Sequence, residues 1–242
     1  MSPLFATTFG LATLVLTFLV GSFISHRAEN FLTKHFAAFI AFASGVMLAV
    51  VFSDVLPHVV EEGNTWTWPV ILSGILLFFI LENFLLLHTC PNHTPGACQN
   101  HAVPKLMGLG LGLHAFFDGA LVVLTFLIDL HLGWLTTLGI ALHRLPAGAI
   151  LHTITHHPQQ SNWHILISTA FAPALALIII PLTEKLSPAI LNLGLAFSTG
   201  ALLYITLSDL IPEAHRTRGK FNLIWLIIGL TLIFSLNYFH QH

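Results

Sequence analysis

The sequence predicts an all-α polytopic membrane protein, and three observations carry that reading. Only 7% of the 242 residues are charged and 55% are hydrophobic, whereas a soluble domain is roughly 25% charged. Eight runs are apolar and long enough for a helix to cross the hydrocarbon, which takes about 20 residues. The connections between them are short, so the spans use up nearly all of the chain. Residues 1–242 therefore read as a single transmembrane domain.

The eight spans fall at roughly 3–25, 36–58, 68–88, 105–128, 133–152, 163–182, 189–211 and 222–240. The first has no cationic start and is long enough to span, so it reads as an anchor, not a cleavable leader. Charge sets the direction. Arg27, Lys34, Lys105, Arg216, Arg218 and Lys220 all fall on one side of an eight-span chain. The other side has Lys185 with Glu61, Glu62, Asp129 and Glu184. Both termini are thus expected outside. The short loops and the lack of a targeting signal point to a bacterial inner (plasma) membrane. A formal charge of −2 gives no reason to expect nucleic acid as a partner. The lipid bilayer is the obligatory one, and a homodimer stays open.

An internal repeat supports the count. Ala41 to Pro57 aligns with Ala196 to Pro212 at a constant offset of 155, with seven of seventeen positions identical, including Gly45/Gly200, Ser53/Ser208 and Asp54/Asp209. Spans 2 and 7 are an odd number apart, so they cross in opposite directions, as related elements of many transporters do. Asp54 is then expected near the outer mouth and Asp209 near the inner one.

Ionisable side chains deep in the spans mark the functional region, because each costs at least a few kcal/mol there. Span 4 holds His114-Ala-Phe-Phe-Asp118-Gly119 and span 5 holds His143-Arg144-Leu-Pro146-Ala-Gly148. His114 and Asp118 are four apart and share a helix face. Two imidazoles and a carboxylate, with the thioether of Met47 as an optional fourth, make a tetrahedral set for Zn²⁺ or a similar divalent ion. Pro146 deprives the Leu142 carbonyl of its helical partner, so a local break is expected beside His143. Arg144 has two readings: an ion pair with Asp118 that locks spans 4 and 5 without metal, or a fixed cation standing in for a second ion.

These motifs resemble the Zrt/Irt-like (ZIP) divalent-metal transporters. The family's signatures are His-Asn-x-Pro-Glu-Gly in span 4 and His-Glu-x-Pro-x-Gly in span 5. His114, Asp118 and Gly119 match the first; His143, Pro146 and Gly148 match the second. The Gly45…Asp54-x-x-Pro57 and Gly200…Asp209-x-x-Pro212 segments are similar to the family's spans 2 and 7. The resemblance implies eight spans in a 3+2+3 arrangement with inverted repeats, and a two-metal site between spans 4 and 5. It also implies Asn, Glu and an acidic residue where this chain has Ala115, Arg144 and Ala147, Pro where it has Phe117, and often an acidic residue where span 6 has Ala172-Pro173. One ion site of two survives that comparison.

Sixteen histidines, twice the Lys plus Arg count of eight, widen the set of candidates. Between spans 3 and 4, Cys90, His93, Cys98 and His101 form a complete zinc-type ligand set, expected on a cytoplasmic loop (89–104) where thiols stay reduced. A disulfide and a plain Pro/Gly turn are the alternatives. His152, His156 and His157 close span 5 and could pass ions on, or form a polar helix end. His58, Glu61 and Glu62 read as a solvated loop, Glu82 and Asn83 as helix-packing groups, and Gly108, Gly110 and Gly112 as a small-residue face for a neighbouring helix.

Three functions compete. The first is transport of a divalent cation, zinc or one of like ligand taste, towards the cytoplasm, with the ion as substrate and no organic cofactor. The second is a non-transporting metal sensor or scaffold with the pore sealed by Arg144. The third is an intramembrane metal hydrolase, against which no His-Glu-x-x-His motif and no spare carboxylate near the cluster can be found.

Overall fold

The computed structural model describes residues 2–27, 29–86, 103–157, 160–161, 163–183, 185–216 and 220–241, with the side chains of 26–34, 84–109, 153–162, 183–184, 213, 216–221 and 240–242 outside the description. Among the described residues the fold is helical, apart from a two-residue antiparallel ladder pairing His156–His157 with Gln160–Ser161. Eight helical rods follow one another among these residues. They are α1 (Pro3–Arg27), α2 (Glu29–Val50, carried on by a π-helical turn Val51–Val55 to Leu56–Glu61), α3 (Thr67–Leu86) and α4 (Val103–Ile128). Then come α5 (Leu130–Thr155), α6 (Trp163–Phe171, then a 3₁₀ stretch Ala172–Ile179 and Ile180–Thr183), α7 (Pro188–Ile205, a π turn Thr206–Leu210 and Ile211–Arg216) and α8 (Lys220–Gln241).

Among the described residues, six helices are long and apolar enough to cross a membrane: Pro3–Ser25, His35–Glu61, Gly110–Ile128, Trp163–Leu182, Pro188–Leu210 and Asn222–Phe239. The third expected span falls on the helix α3, whose described apolar length, Thr67–Asn83, is shorter than a crossing needs. The fifth falls on the helix α5, 26 residues long, in which three histidines, Arg144 and several small residues dilute the apolar character, so it does not count among the six. Phe9, Phe23, Ile178, Leu223, Phe234 and Phe239 are exposed, as side chains facing lipid are.

The rods pair in a definite pattern. α1 packs on α5, α4 on the 3₁₀ part of α6, α2 on α8 and α3 on α7, with α4–α5, α2–α5 and α4–α7 contacts closing the bundle. Backbone-to-backbone approaches seat these pairs. A Cβ on Gly45 would stand 2.1 Å from the Leu226 carbonyl oxygen, and one on Gly200 would stand 2.0 Å from that of Ile71. Gly229 meets Phe42 and Gly74 meets Phe197 in the same way. Both of these α2–α8 glycine contacts recur in α3–α7 at an offset of 155 residues. So do the π turns, which hold Ser53-Asp54 and Ser208-Asp209.

Two halves of the bundle differ. From the Asp54 end to the level of His143, Leu11, Met47, Val50, Val51, Leu121, Val122, Leu135 and Leu195 form one packed apolar cluster. On the Asp209 side of His143 the bundle is hollow. A cavity of about 230 Å³ runs between α3, α4, α5 and α7.

Two expectations about helix packing need correction. α5 runs unbroken through Pro146; one lost hydrogen bond is outweighed by the tight seat of the same segment on α1, where a Cβ on Gly148 would lie 2.1 Å from the Phe18 carbonyl oxygen. Gly110 lines the cavity, and a Cβ on Gly112 would meet nothing within 4 Å. Gly110 thus borders the hollow and Gly112 open space, and Gly112 seats no neighbouring helix.

Candidate metal centre

His114 and Asp118 leave the same face of α4 one turn apart, and His143 reaches them from α5. The His114 Nε2 lies 3.5 Å from the Asp118 Oδ2, the His143 Nε2 lies 3.6 Å from that oxygen, and the two Nε2 atoms are 3.4 Å apart. Three ligand atoms thus form a nearly equilateral triangle. Tetrahedral bonds of about 2.0–2.1 Å to Zn²⁺ place ligand atoms about 3.3–3.4 Å apart. The triangle is therefore the right size for one ion, and the buried group could hold a metal. Both Nδ1 atoms are buried with no hydrogen-bond partner. Asp118 and His143 are each 3% exposed and His114 18%, and both imidazoles line the cavity. An ion entering from the hollow half would meet the two imidazoles before Asp118. Phe78 covers the same ring edge-on, with centroids 6.1 Å apart.

Arg144 completes the centre. Its Nη1 donates to the same Asp118 Oδ2 at 3.3 Å, its Nη2 donates to the Thr169 carbonyl at 3.0 Å, and its Nε donates to the Leu14 carbonyl at 3.3 Å. Its guanidinium carbon lies 5.0 Å from the Phe18 ring centroid. Leu14 and Thr169 are themselves 155 residues apart, so this one cation binds matching carbonyls of α1 and α6. A charge buried this deeply is tolerated because a carboxylate and two carbonyls pair with it. Beside it lies a cavity of about 20 Å³ lined by Phe18, His114, His143, Arg144 and Thr169, room for about one water. The ion-pair reading and the ligand-set reading of Asp118 thus share one oxygen.

The other predicted residues are placed as follows. Met47 is buried in the apolar cluster, against Gly139, one helical turn from His143. Asp54 accepts hydrogen bonds from Asn237 and Ser53 at the closed end. Asp209 lines the cavity. His152 is half-buried in the last turn of α5. His156 and His157 lie on the short ladder, and their side chains are outside the description. Cys90, His93, Cys98 and His101 also lie outside the described residues.

Sequence reasoning missed four participants. Glu82 and Tyr204 line the cavity and are hydrogen-bonded to each other. Nothing in an apolar span announces which way one Glu points. The Leu14 and Thr169 carbonyls are backbone atoms, but one carried a signal. Pro173 has no N–H, so Thr169, four residues earlier, has a free carbonyl, which is where the guanidinium binds.

No protein-family model matches the chain, and no curated protein matches it.

Proposed function

We propose that this protein moves a divalent cation, zinc or a metal of similar ligand preference, across a membrane towards the cytoplasm through a single site at His114, Asp118 and His143. The observation that carries the reading is that triangle of ligand atoms, 3.4–3.6 Å on each edge, sunk in apolar helices at the blind end of a cavity. A ligand set without thiolate holds an ion moderately, and a carrier must release what it binds.

Contacts that recur at an offset of 155 support a reading of α1–α3 and α6–α8 as inverted repeats around α4 and α5, the 3+2+3 plan of the ZIP-like transporters. On that reading the termini face outward, the Asp54 mouth is external and shut, and the Asp209 mouth is cytoplasmic and open. Arg144 stands as a permanent cation where a second ion would sit, and leaves one ion to move. Alternating access follows if α1, α4, α5 and α6, which carry the site, shift against α2, α3, α7 and α8.

Metal flux into liposomes containing purified protein tests this. Asp118→Asn keeps an oxygen for Arg144 but removes the charge, so flux should vanish in the fraction of the variant that purifies folded. Unchanged flux would take Asp118 out of the path.

One observation favours a second reading, a non-transporting sensor or scaffold. Arg144 ties α1, α4 and α6 together through three hydrogen bonds, so it could seal the centre. Arg144→Glu separates the two: flux gained by that variant in a protein otherwise silent establishes the sealed reading.

A further inference from the structure

The offset of 155 pairs identical residues and unlike ones. Asp54 and Ser53 match Asp209 and Ser208, and on the packed partner helices Asn237 matches Glu82; Ala49 matches Tyr204. The two mouths are therefore built to one plan with different side chains at two positions.

At the Asp54 mouth the Asn237 Nδ2 donates to the Asp54 Oδ1 at 2.8 Å and Oδ2 at 2.9 Å, and to the Ser53 Oγ at 3.1 Å. The Asn237 Oδ1 lies 3.3 Å from the His131 Nε2 of α5. One amide thus ties α8 to the π turn of α2 and to the start of α5, above the packed apolar cluster. At the Asp209 mouth Ser208 donates to the Asp209 Oδ1 at 2.9 Å, which repeats the Ser53 contact. Glu82 then stands where the amide would be. An ionised carboxylate only accepts, so it has no N–H to offer Asp209. The Tyr204 hydroxyl donates to Glu82 instead, and the two acids both line the cavity.

We infer that Asn237 is the latch of the Asp54 mouth and that Glu82, in the matching place, keeps the Asp209 mouth from closing in the same way. A carboxylamide draws the two helices together around one carboxylate, whereas two carboxylates facing one cavity repel. The chain therefore rests with one mouth shut because of a single donor present on one side and missing on the other. This rests on the carrier reading only in that two mouths open alternately.

Thiol accessibility in the full chain, embedded in membranes, tests the latch without measuring transport. With Cys90 and Cys98 replaced by Ser, Val50→Cys reports on the packed half and Ala147→Cys on the cavity. In this background Ala147→Cys should react with a water-soluble maleimide about tenfold faster than Val50→Cys. Asn237→Glu should raise the Val50→Cys rate about fivefold or more, and Glu82→Asn should lower that of Ala147→Cys by a similar factor, with the double exchange reversing the order; these factors correspond to a modest shift between two states. Glu82→Ala removes the charge but supplies no donor, so it should leave Ala147→Cys reactive. Rates unmoved by Glu82→Asn in folded protein overturn the latch, as does closure by Glu82→Ala as complete as by Glu82→Asn. Should Asn237→Glu not fold, Glu82→Asn decides alone. Metal flux of the unaltered chain is measured in parallel. Shifted rates without any flux refute the carrier reading and leave the latch standing.

Discussion

Helices α4 and α5 carry the same frame with opposite charges set in it. In each, a histidine is followed five residues later by a glycine: His114 and Gly119, His143 and Gly148. Each glycine lets its helix touch another backbone, with a would-be Cβ 2.3 Å from the Pro173 carbonyl oxygen in one case and 2.1 Å from that of Phe18 in the other. The histidines meet at 3.4 Å. Between these fixed points α4 places a carboxylate, Asp118, and α5 a guanidinium, Arg144. The glycines and helix packing set where the side chains stand, and the residues between them set the charge of the centre. Backbone geometry and site chemistry are therefore separable, and each can be broken alone.

The largest effect is expected from the frame. Gly148→Leu drives carbon into the Phe18 backbone, which cannot rotate away, and overpacking of a tight contact costs about 3 kcal/mol or more. We expect no monodisperse protein on size exclusion in detergent. Normal elution would mean that α1 and α5 are not held as described.

Next comes the charge pair. Asp118→Ala leaves the Arg144 guanidinium buried with two carbonyls and no counter-charge, a loss of about 3–5 kcal/mol. Asp118→Leu combined with Arg144→Met removes both charges and should recover most of that stability, measured by thermal unfolding in detergent, while binding no metal. Failure of the double variant to recover would show that Asp118 stabilises the fold by more than its pairing with Arg144.

How far the sequence can be read follows the same division. Eight helices, and six of the eight expected spans, were legible, because about 20 apolar residues in a row mean the same thing whatever their neighbours do. α5 was legible despite its polar residues, and its helix nonetheless survives Pro146, since the tight packing of Gly148 acts across helices and leaves no mark in local propensity. His114, Asp118 and His143 were legible because ionisable groups in oil are rare. The role of Glu82 was not. Its partner in the repeat is Asn237, two different residues, and only the matched backbone contacts of Gly74 and Gly229 bring the two positions into register. Gly110 and Gly112 were misread because small residues border cavities and open space as readily as they line helix contacts.

Smaller effects should come from the ligands singly. His114→Ala keeps the Asp118–Arg144 pair, so thermal unfolding should change little. Loss of one of three ligands should weaken divalent-ion binding at least about tenfold, about 1.4 kcal/mol, as read by calorimetry. Because imidazole and carboxylate bind metal only without their protons, affinity should also fall as the medium is acidified. Unaltered affinity in either experiment would place the ion elsewhere. The smallest effect is expected at Gly112, where a Cβ meets open space: Gly112→Ala should alter stability by no more than about 0.5 kcal/mol. A larger loss would mean that the helix face there is packed.

The most direct test of the centre is metal stoichiometry on purified protein, measured by elemental analysis after equilibration with zinc, with Cys90, His93, Cys98 and His101 replaced so that the loop cannot contribute. One ion per chain should remain, and it should be lost together with its binding heat in the folded triple variant His114→Ala/Asp118→Asn/His143→Ala. An ion retained by that triple variant, or no ion bound before it is made, would contradict a metal centre between α4 and α5.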